Sequence, residues 1–157
     1  MDPVSDAEIV IACTTLKTKK KLGPDTRFAF VQLEEPTKSD VLAWSPGKPM
    51  KRCAAATVFD CKTGAVHIGV VDIGAKTVAS WIEHPAREYP YGQPPIIIEE
   101  FFKVGDIVKS DPGWRQAMTR RGLTVADIDL VQVDPFSSGY FDREIEKGRR
   151  LVSAVSY

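Results

Sequence analysis

The sequence predicts an α+β protein of two small domains, each a helix packed on an antiparallel sheet, with the second domain incomplete. Three observations carry that prediction. A capped helix with apolar residues at helical spacing opens the chain, and strands joined by short glycine-bearing connections follow it. A proline-rich break over residues 85–95 then interrupts the pattern. Beyond the break the helix-then-strands order starts again and runs out early. A chain of 157 residues, at roughly 150 residues per domain, allows one ordinary domain or two small ones.

Ser5-Asp6-Ala7-Glu8 is a capping box, with a hydroxyl to satisfy a free helical amide and a carboxylate three residues on to reach back. Ile9, Ala12, Cys13 and Leu16 follow at helical spacing, and Lys17, Lys19, Lys20 and Lys21 suit the negative end of the helix dipole before Gly23-Pro24 stops it. Residues 27–33 read as a strand whose Phe28 and Phe30 share one face, the face that meets the helix. Val41-Leu42-Ala43-Trp44 reads as further strand, and Pro46-Gly47-Lys48-Pro49 as a loop. Residues 53–59, 66–71 and 77–82 are strands separated by Asp60-Cys61-Lys62-Thr63-Gly64 and Asp72-Ile73-Gly74-Ala75-Lys76. Connections this short favour antiparallel hairpins, because a parallel crossover needs a dozen or more residues.

Pro85, Pro90, Pro94 and Pro95, with Gly92, Tyr89 and Tyr91, mark an extended linker. The expected layout is a first domain over residues 1–84, a linker over 85–95 and a second domain over 96–157. Ile97, Phe101, Val104 and Val108 outline a helical face, and Asp111-Pro112 restarts the helix with a capping carboxylate and a proline whose missing amide costs nothing in the first turn. Trp114, Ala117, Met118 and Arg121 continue it to Gly122. Thr124-Val125-Ala126-Asp127 offers a short cap before a strand over 128–133, a loop over 134–139 and a final strand over 151–155. Two strands bury too little of the face over 97–108, so the second domain is expected to be open to self-association.

With 21 Lys+Arg against 21 Asp+Glu, the formal net charge is zero, which removes the broad attraction that nucleic acids and acidic membranes rely on. No run approaches the roughly 18 apolar residues of a membrane span. The acidic start Met1-Asp2-Pro3-Val4-Ser5-Asp6 has no signal-peptide core, and Cys13, Cys53 and Cys61 make an odd set of thiols. Together they predict an intracellular chain, cytoplasmic or peroxisomal, with free cysteines acting as small buried hydrophobes. Cys53 and Cys61, if on one strand, would lie about 26 Å apart at ~3.3 Å per residue, too far for a disulfide. His67 and His84 are the two histidines, without metal-ligand spacing, and Ser137-Ser138-Gly139 lacks the elbow of a nucleophilic serine.

Taken in order, Gln93-Pro94-Pro95, Glu99-Glu100-Phe101, Asp111-Pro112-Gly113-Trp114-Arg115, Arg121-Gly122, Val133-Asp134-Pro135-Phe136-Ser137-Ser138-Gly139 and Arg149-Arg150 resemble the region of the copper amine oxidases that precedes their catalytic domain. Arg27-Phe28, Leu33-Glu34-Glu35-Pro36, Val71-Asp72, Val78 and Ser80-Trp81 extend the resemblance over nearly the whole chain. It implies the two small amino-terminal domains of that family, N2 and N3, each a cystatin-like helix on an antiparallel sheet. The implied partner is the parent enzyme's catalytic β-sandwich domain. There, three histidines hold copper, and a tyrosine in an Asn-Tyr-Asp/Glu motif becomes topaquinone, which oxidises primary amines with oxygen. This chain has two histidines and no asparagine, so it offers neither the ligand set nor the quinone motif, and no catalytic or metal-binding residue is assigned. The resemblance also implies that the chain stops at Tyr157 before the closing strands of N3. It places Phe101 and Phe136 at positions lining the amine channel, although both also suit a core. The alternative reading is a stand-alone α+β interaction or binding module of the same architecture.

Overall fold

The computed structural model describes residues 2–85, 88 and 92–157, so Tyr89, Pro90 and Tyr91 of the expected linker lie outside the described residues. The chain divides into two compact units, Met1–Pro94 and Pro95–Tyr157, each with helices on an antiparallel sheet.

In the first unit, α1 (Asp6–Lys19) starts at the Ser5 box: the Glu8 amide donates to Ser5 Oγ at 3.4 Å, and the Ser5 amide donates to Glu8 Oε2 at 2.8 Å. The helix closes on Lys21, whose φ of 52° is left-handed, and the Leu22 amide returns to the Lys17 carbonyl at 3.0 Å. Gly23 was the expected terminator, yet the chain has already turned before it. Strands β1 (Thr26–Glu34), β2 (Cys53–Asp60), β3 (Val66–Asp72) and β4 (Thr77–His84) form one sheet in the order β1-β2-β3-β4, antiparallel throughout. Two aspartates shape its hairpins. Asp60 Oδ1 accepts the Lys62 and Thr63 amides at 2.8 Å, and Asp72 Oδ1 accepts the Ala75 amide at 2.9 Å.

Helix α1 lays Ala12 and Leu16 on Ala54, Ala56, Val58, Val71 and Ile73. The alanines of β2 leave room for the helix to approach. Gly69 leaves more: a Cβ there would sit 2.9 Å from Leu16 Cδ2 and 2.9 Å from Trp81 Cε3. Any side chain at 69 would push out the residue at the centre of the core.

Two expectations for this unit fail for local reasons. Val41, Leu42 and Ala43 belong to a short helix, α2 (Lys38–Ala43), and Trp44 follows it. Thr37 and Asp40 close a capping box, with the Asp40 amide donating to Thr37 Oγ1 at 3.3 Å and the Thr37 amide to Asp40 Oδ2 at 3.3 Å. This local cap outweighs the strand preference of Val41 and Trp44, and no residue of α2 is buried. Phe28 and Phe30 do not share a face, because a β-bulge between them shifts the register from Phe28↔Val58 to Phe30↔Thr57. Phe28 packs on the core and Phe30 is turned to the opposite, open face.

The second unit holds α3 (Ile98–Ser110), α4 (Pro112–Arg120), α5 (Val125–Leu130), β5 (Val133–Ser137), a 3-10 turn at Glu144–Glu146 and β6 (Val152–Ser156), with β5 and β6 paired antiparallel. Asp111 caps α4 as expected, its Oδ1 accepting the Trp114 amide at 2.7 Å, and Gly122 closes the helix with φ 93°. Of the stretch 128–133 only Val133 is strand, as the first residue of β5. The Thr124 cap carries α5 through Leu130, and Ile128 is its buried residue. Asp134 to Ser137, read as loop, are strand instead. A two-stranded ladder has open edges, and these tolerate Pro135. Glu146 is a buried carboxylate that accepts the Phe141 amide at 2.7 Å and the Arg143 amide at 3.1 Å. Burial opposes its ionisation, but those amides win and hold it below the usual carboxylate range. Helix α3 packs on β5, yet no residue within α3 is fully buried.

Candidate functional site

The two histidines lie on opposite faces of the first sheet. His67 stands opposite Val58 on the core face, its ring stacked on Trp81 at 4.6 Å and 17°, with Lys20 Nζ 5.5 Å from the Trp81 ring. The stack closes the core beneath the carboxyl end of α1. His84 ends β4 opposite Val66 on the other face. Among the described residues its Nδ1 is buried without a hydrogen-bond partner, and Gly92 covers its ring so closely that a Cβ at 92 would lie 1.8 Å from Cε1. Beside it, Thr63, Gly64, Ala65, Glu83, Pro85 and Glu88 line an open cavity of about 510 Å³.

A copper site built from three histidines does not fit this chain. Two rings on opposite faces of a sheet cannot converge on one ion, and among the described residues no group of three or more His, Cys, Asp and Glu is placed to hold a metal. Cys13 and Cys53 are half-buried, and burial pushes both thiols up. Cys61 departs from the expected buried set: it is exposed, just past the end of β2 in the Asp60 turn.

Phe101 is 45% exposed on α3 and meets Phe102 edge-on at 5.9 Å. Phe136 is 54% exposed on β5, where strand alternation sets it on the face away from buried Val133 and Pro135. Both rings therefore have free surface.

The feature that sequence reading missed is an arginine clamp, built twice. In the first unit, Arg52 Nε donates to Glu8 Oε1 at 2.6 Å and Nη2 to Glu8 Oε2 at 2.9 Å, while Nη2 also reaches the Pro3 carbonyl at 3.1 Å. In the second, Arg150 Nε and Nη2 donate to Glu100 Oε1 and Oε2 at 2.5 Å, and Nη2 reaches the Pro95 carbonyl at 2.9 Å. Each glutamate is the third helical residue and also accepts its own N-cap amide, from Ser5 at 2.8 Å and from Ile97 at 3.0 Å. Each arginine stands just before a strand, β2 or β6. The fork of two parallel charge-assisted bonds fixes the helix entry angle as well as the charge. The only trace in the sequence is a glutamate at the right place in the capping box.

The clamp makes the first unit acid-sensitive. Arg52 first, then the Ser5 amide, hold the Glu8 carboxyl well below its usual 4.5, at about 2. A folded-state value below the unfolded one contributes stability that is whole above about pH 4.5 and lost as pH falls toward 2. Thermal melts of wild type and Glu8→Gln should differ most above about pH 4.5, and the gap should close toward pH 2. A gap independent of pH would exclude the clamp as its source.

Comparison with known proteins places these units. The family model described as AGAO-like N2 domain matches residues 5–81, and the model of the copper amine oxidase N3 domain matches residues 99–157. The chain is 37% identical over 157 residues to a primary amine oxidase of Arthrobacter sp. (strain P1), which covers all of this chain and 23% of the relative. It is 30% identical over 187 residues to the peroxisomal N-methylputrescine oxidase 1 of Nicotiana tabacum, again covering all of this chain and 23% of that protein. Among solved structures, a copper-containing benzylamine oxidase from Hansenula polymorpha shares the fold with a TM-score of 0.76 at 19% identity, over 99% of this chain and 24% of that one. The chain thus spans about a quarter of the length of the curated relatives it matches. Two matched domains in the family's order, a relative aligned from end to end and a shared fold lead to one conclusion: the chain belongs to the copper amine oxidase family, of which it carries the N2 and N3 domains.

Proposed function

We propose that this chain is the non-catalytic amino-terminal region of a copper amine oxidase, serving as scaffold for the catalytic domain and shaping the path by which amine reaches it. The parent reaction takes a primary amine, oxygen and water to aldehyde, ammonia and hydrogen peroxide. Copper and topaquinone belong to the parent's catalytic domain, which is the partner of this region. The observation that carries the reading is the end-to-end match to 23% of a primary amine oxidase, with both amino-terminal domains in register. In this reading residues 1–84 and 96–157 are the two domains, and residues 85–95 join them.

Phe101 and Phe136 are the proposed channel-lining residues, since each keeps exposed aromatic surface. Such rings select among amines by contact area rather than by hydrogen bonding. No helix among the described residues is long and apolar enough to cross a membrane, and the tobacco relative is peroxisomal by name. The proposal sets the enzyme in the cytoplasm or the peroxisome, and the tobacco relative's name supports the second. The under-buried α3 is the surface through which this chain, expressed by itself, would self-associate.

The test is a chimera in which these 157 residues replace the matched segment of the Arthrobacter primary amine oxidase. The chimera should turn over methylamine. Phe101→Ala and Phe136→Ala should change KM for a bulky aromatic amine by about 3–10-fold, the effect of losing apolar contact, while leaving methylamine turnover unchanged. Peroxide production by the isolated chain, given copper, oxygen and a primary amine, would overturn the proposal.

A further inference from the structure

The face of the first sheet away from α1 carries a registered apolar row. Phe30 stands opposite Thr57, Thr57 opposite Ile68, and Ile68 opposite Ile82, so one line of side chains crosses all four strands. Phe30, Ile68 and Ile82 are 53%, 39% and 62% exposed. The next row is Gln32, Ala55, Val70 and Ser80, so these eight central positions hold no charged residue. Charges sit at the margins, with Arg27 at one end and Glu34 and Asp72 at the other. An uncharged apolar centre with a polar rim is the anatomy of a protein interface. The row exists because of the bulge after Phe28. Strict alternation from Phe28 would have sent Phe30 into the core, and the extra residue sends it out.

The size of the face points to its occupant. Four strands at ~4.8 Å and about seven residues at ~3.3 Å make a patch of about 19 by 23 Å, roughly 440 Å². A stable complex between free chains needs about 800 Å² from each partner. A second copy held by this face alone would therefore fall short, whereas a domain of the same polypeptide needs no such area, because the chain already holds it close. We infer that this face docks the catalytic domain of the parent polypeptide, burying the Phe30–Thr57–Ile68–Ile82 row. The inference rests on the proposed function and names the surface that does the scaffolding.

Hydroxyl-radical footprinting of the isolated chain and of the chimera with the Arthrobacter enzyme tests it. Phe30, Ile68 and Ile82 should be labelled readily in the isolated chain and at least about fivefold less in the chimera, the change expected when an exposed side chain enters an interface core. Val10, exposed on α1, serves as the control and should be labelled in both. The double variant Ile68→Lys with Ile82→Lys should leave the melting of the isolated chain within a few degrees of wild type, since both positions face solvent there. In the chimera the same variant should lower the melting temperature and the yield of active enzyme. An active chimera whose row is labelled as strongly as in the isolated chain overturns this inference and leaves the proposed function standing. A chimera that never assembles overturns both. Protection of the row in the isolated chain, with dimers by light scattering that the double variant dissolves, would make a second copy the occupant and overturn the inference.

Discussion

Leu16→Ala should destabilise the first unit by about 2–5 kcal/mol, the range for emptying a fully buried leucine site. The upper half of that range is expected. Leu16 is fully buried over Ala54, Ala56 and Gly69, and none of these carries a side chain long enough to collapse into the space it leaves. Backbone on both sides is fixed by the antiparallel ladder of β2 and β3, which limits relaxation further. Urea denaturation followed by the fluorescence of Trp81, which packs on this core, reads the loss as a lower midpoint at unchanged slope. A loss below about 1 kcal/mol would mean that the helix re-seats itself and that Gly69 is not the fixed floor described above.

Ile128→Ala should have the larger consequence, although it removes no more carbon. Ile128 is the largest fully buried side chain of the second unit, where Ile97, Met118, Val131 and Val133 are the other buried hydrophobic residues. A two-stranded sheet with three helices in about sixty residues has little stability to lose, since cores of this size rarely supply more than about 3–5 kcal/mol. Removing about 2–4 kcal/mol from it should abolish cooperative unfolding of residues 95–157 rather than shift its midpoint. Amide exchange across α4 and α5 would show this as loss of protection while β2 and β3 stay protected. Retained protection in α4 would show that the second unit draws its stability from elsewhere than Ile128.

Local chemistry was legible in the sequence wherever cause and effect lie within a few residues. Ser5 with Glu8, Asp111 with Pro112, and the Asp60 and Asp72 turns each place donor, acceptor and bend inside one short segment, and all of them form. The α+β layering followed, because connections that short leave only hairpins. Val41 to Trp44 carry apolar, β-prone side chains, but the Thr37 cap that precedes them decides the local structure. The same holds after Thr124, whose cap holds a helix through Leu130. The face on which Phe30 sits could not be read at all. One extra residue in β1 reverses it, and no side chain at Ala29 announces a bulge. The two clamps were hidden by distance, since nothing near Glu8 or Glu100 points to Arg52 or Arg150. Phe101 and Phe136 are candidates only through family likeness, and their exposure is what the structure adds.

Each clamp spans a long stretch of chain, 44 positions from Glu8 to Arg52 and 50 from Glu100 to Arg150. Helix α1 can form within its own sequence, with Glu8 already holding the Ser5 amide, but that carboxylate lacks its arginine until β1 has passed and β2 has docked. Contacts of such sequence separation wait for the ordering of everything between them. Both clamps are therefore expected to close late in folding, and any bond absent at the barrier slows escape without hastening arrival. Breaking either clamp should then speed unfolding more than it slows folding, while the capped helices and tight hairpins set how quickly the fold is reached.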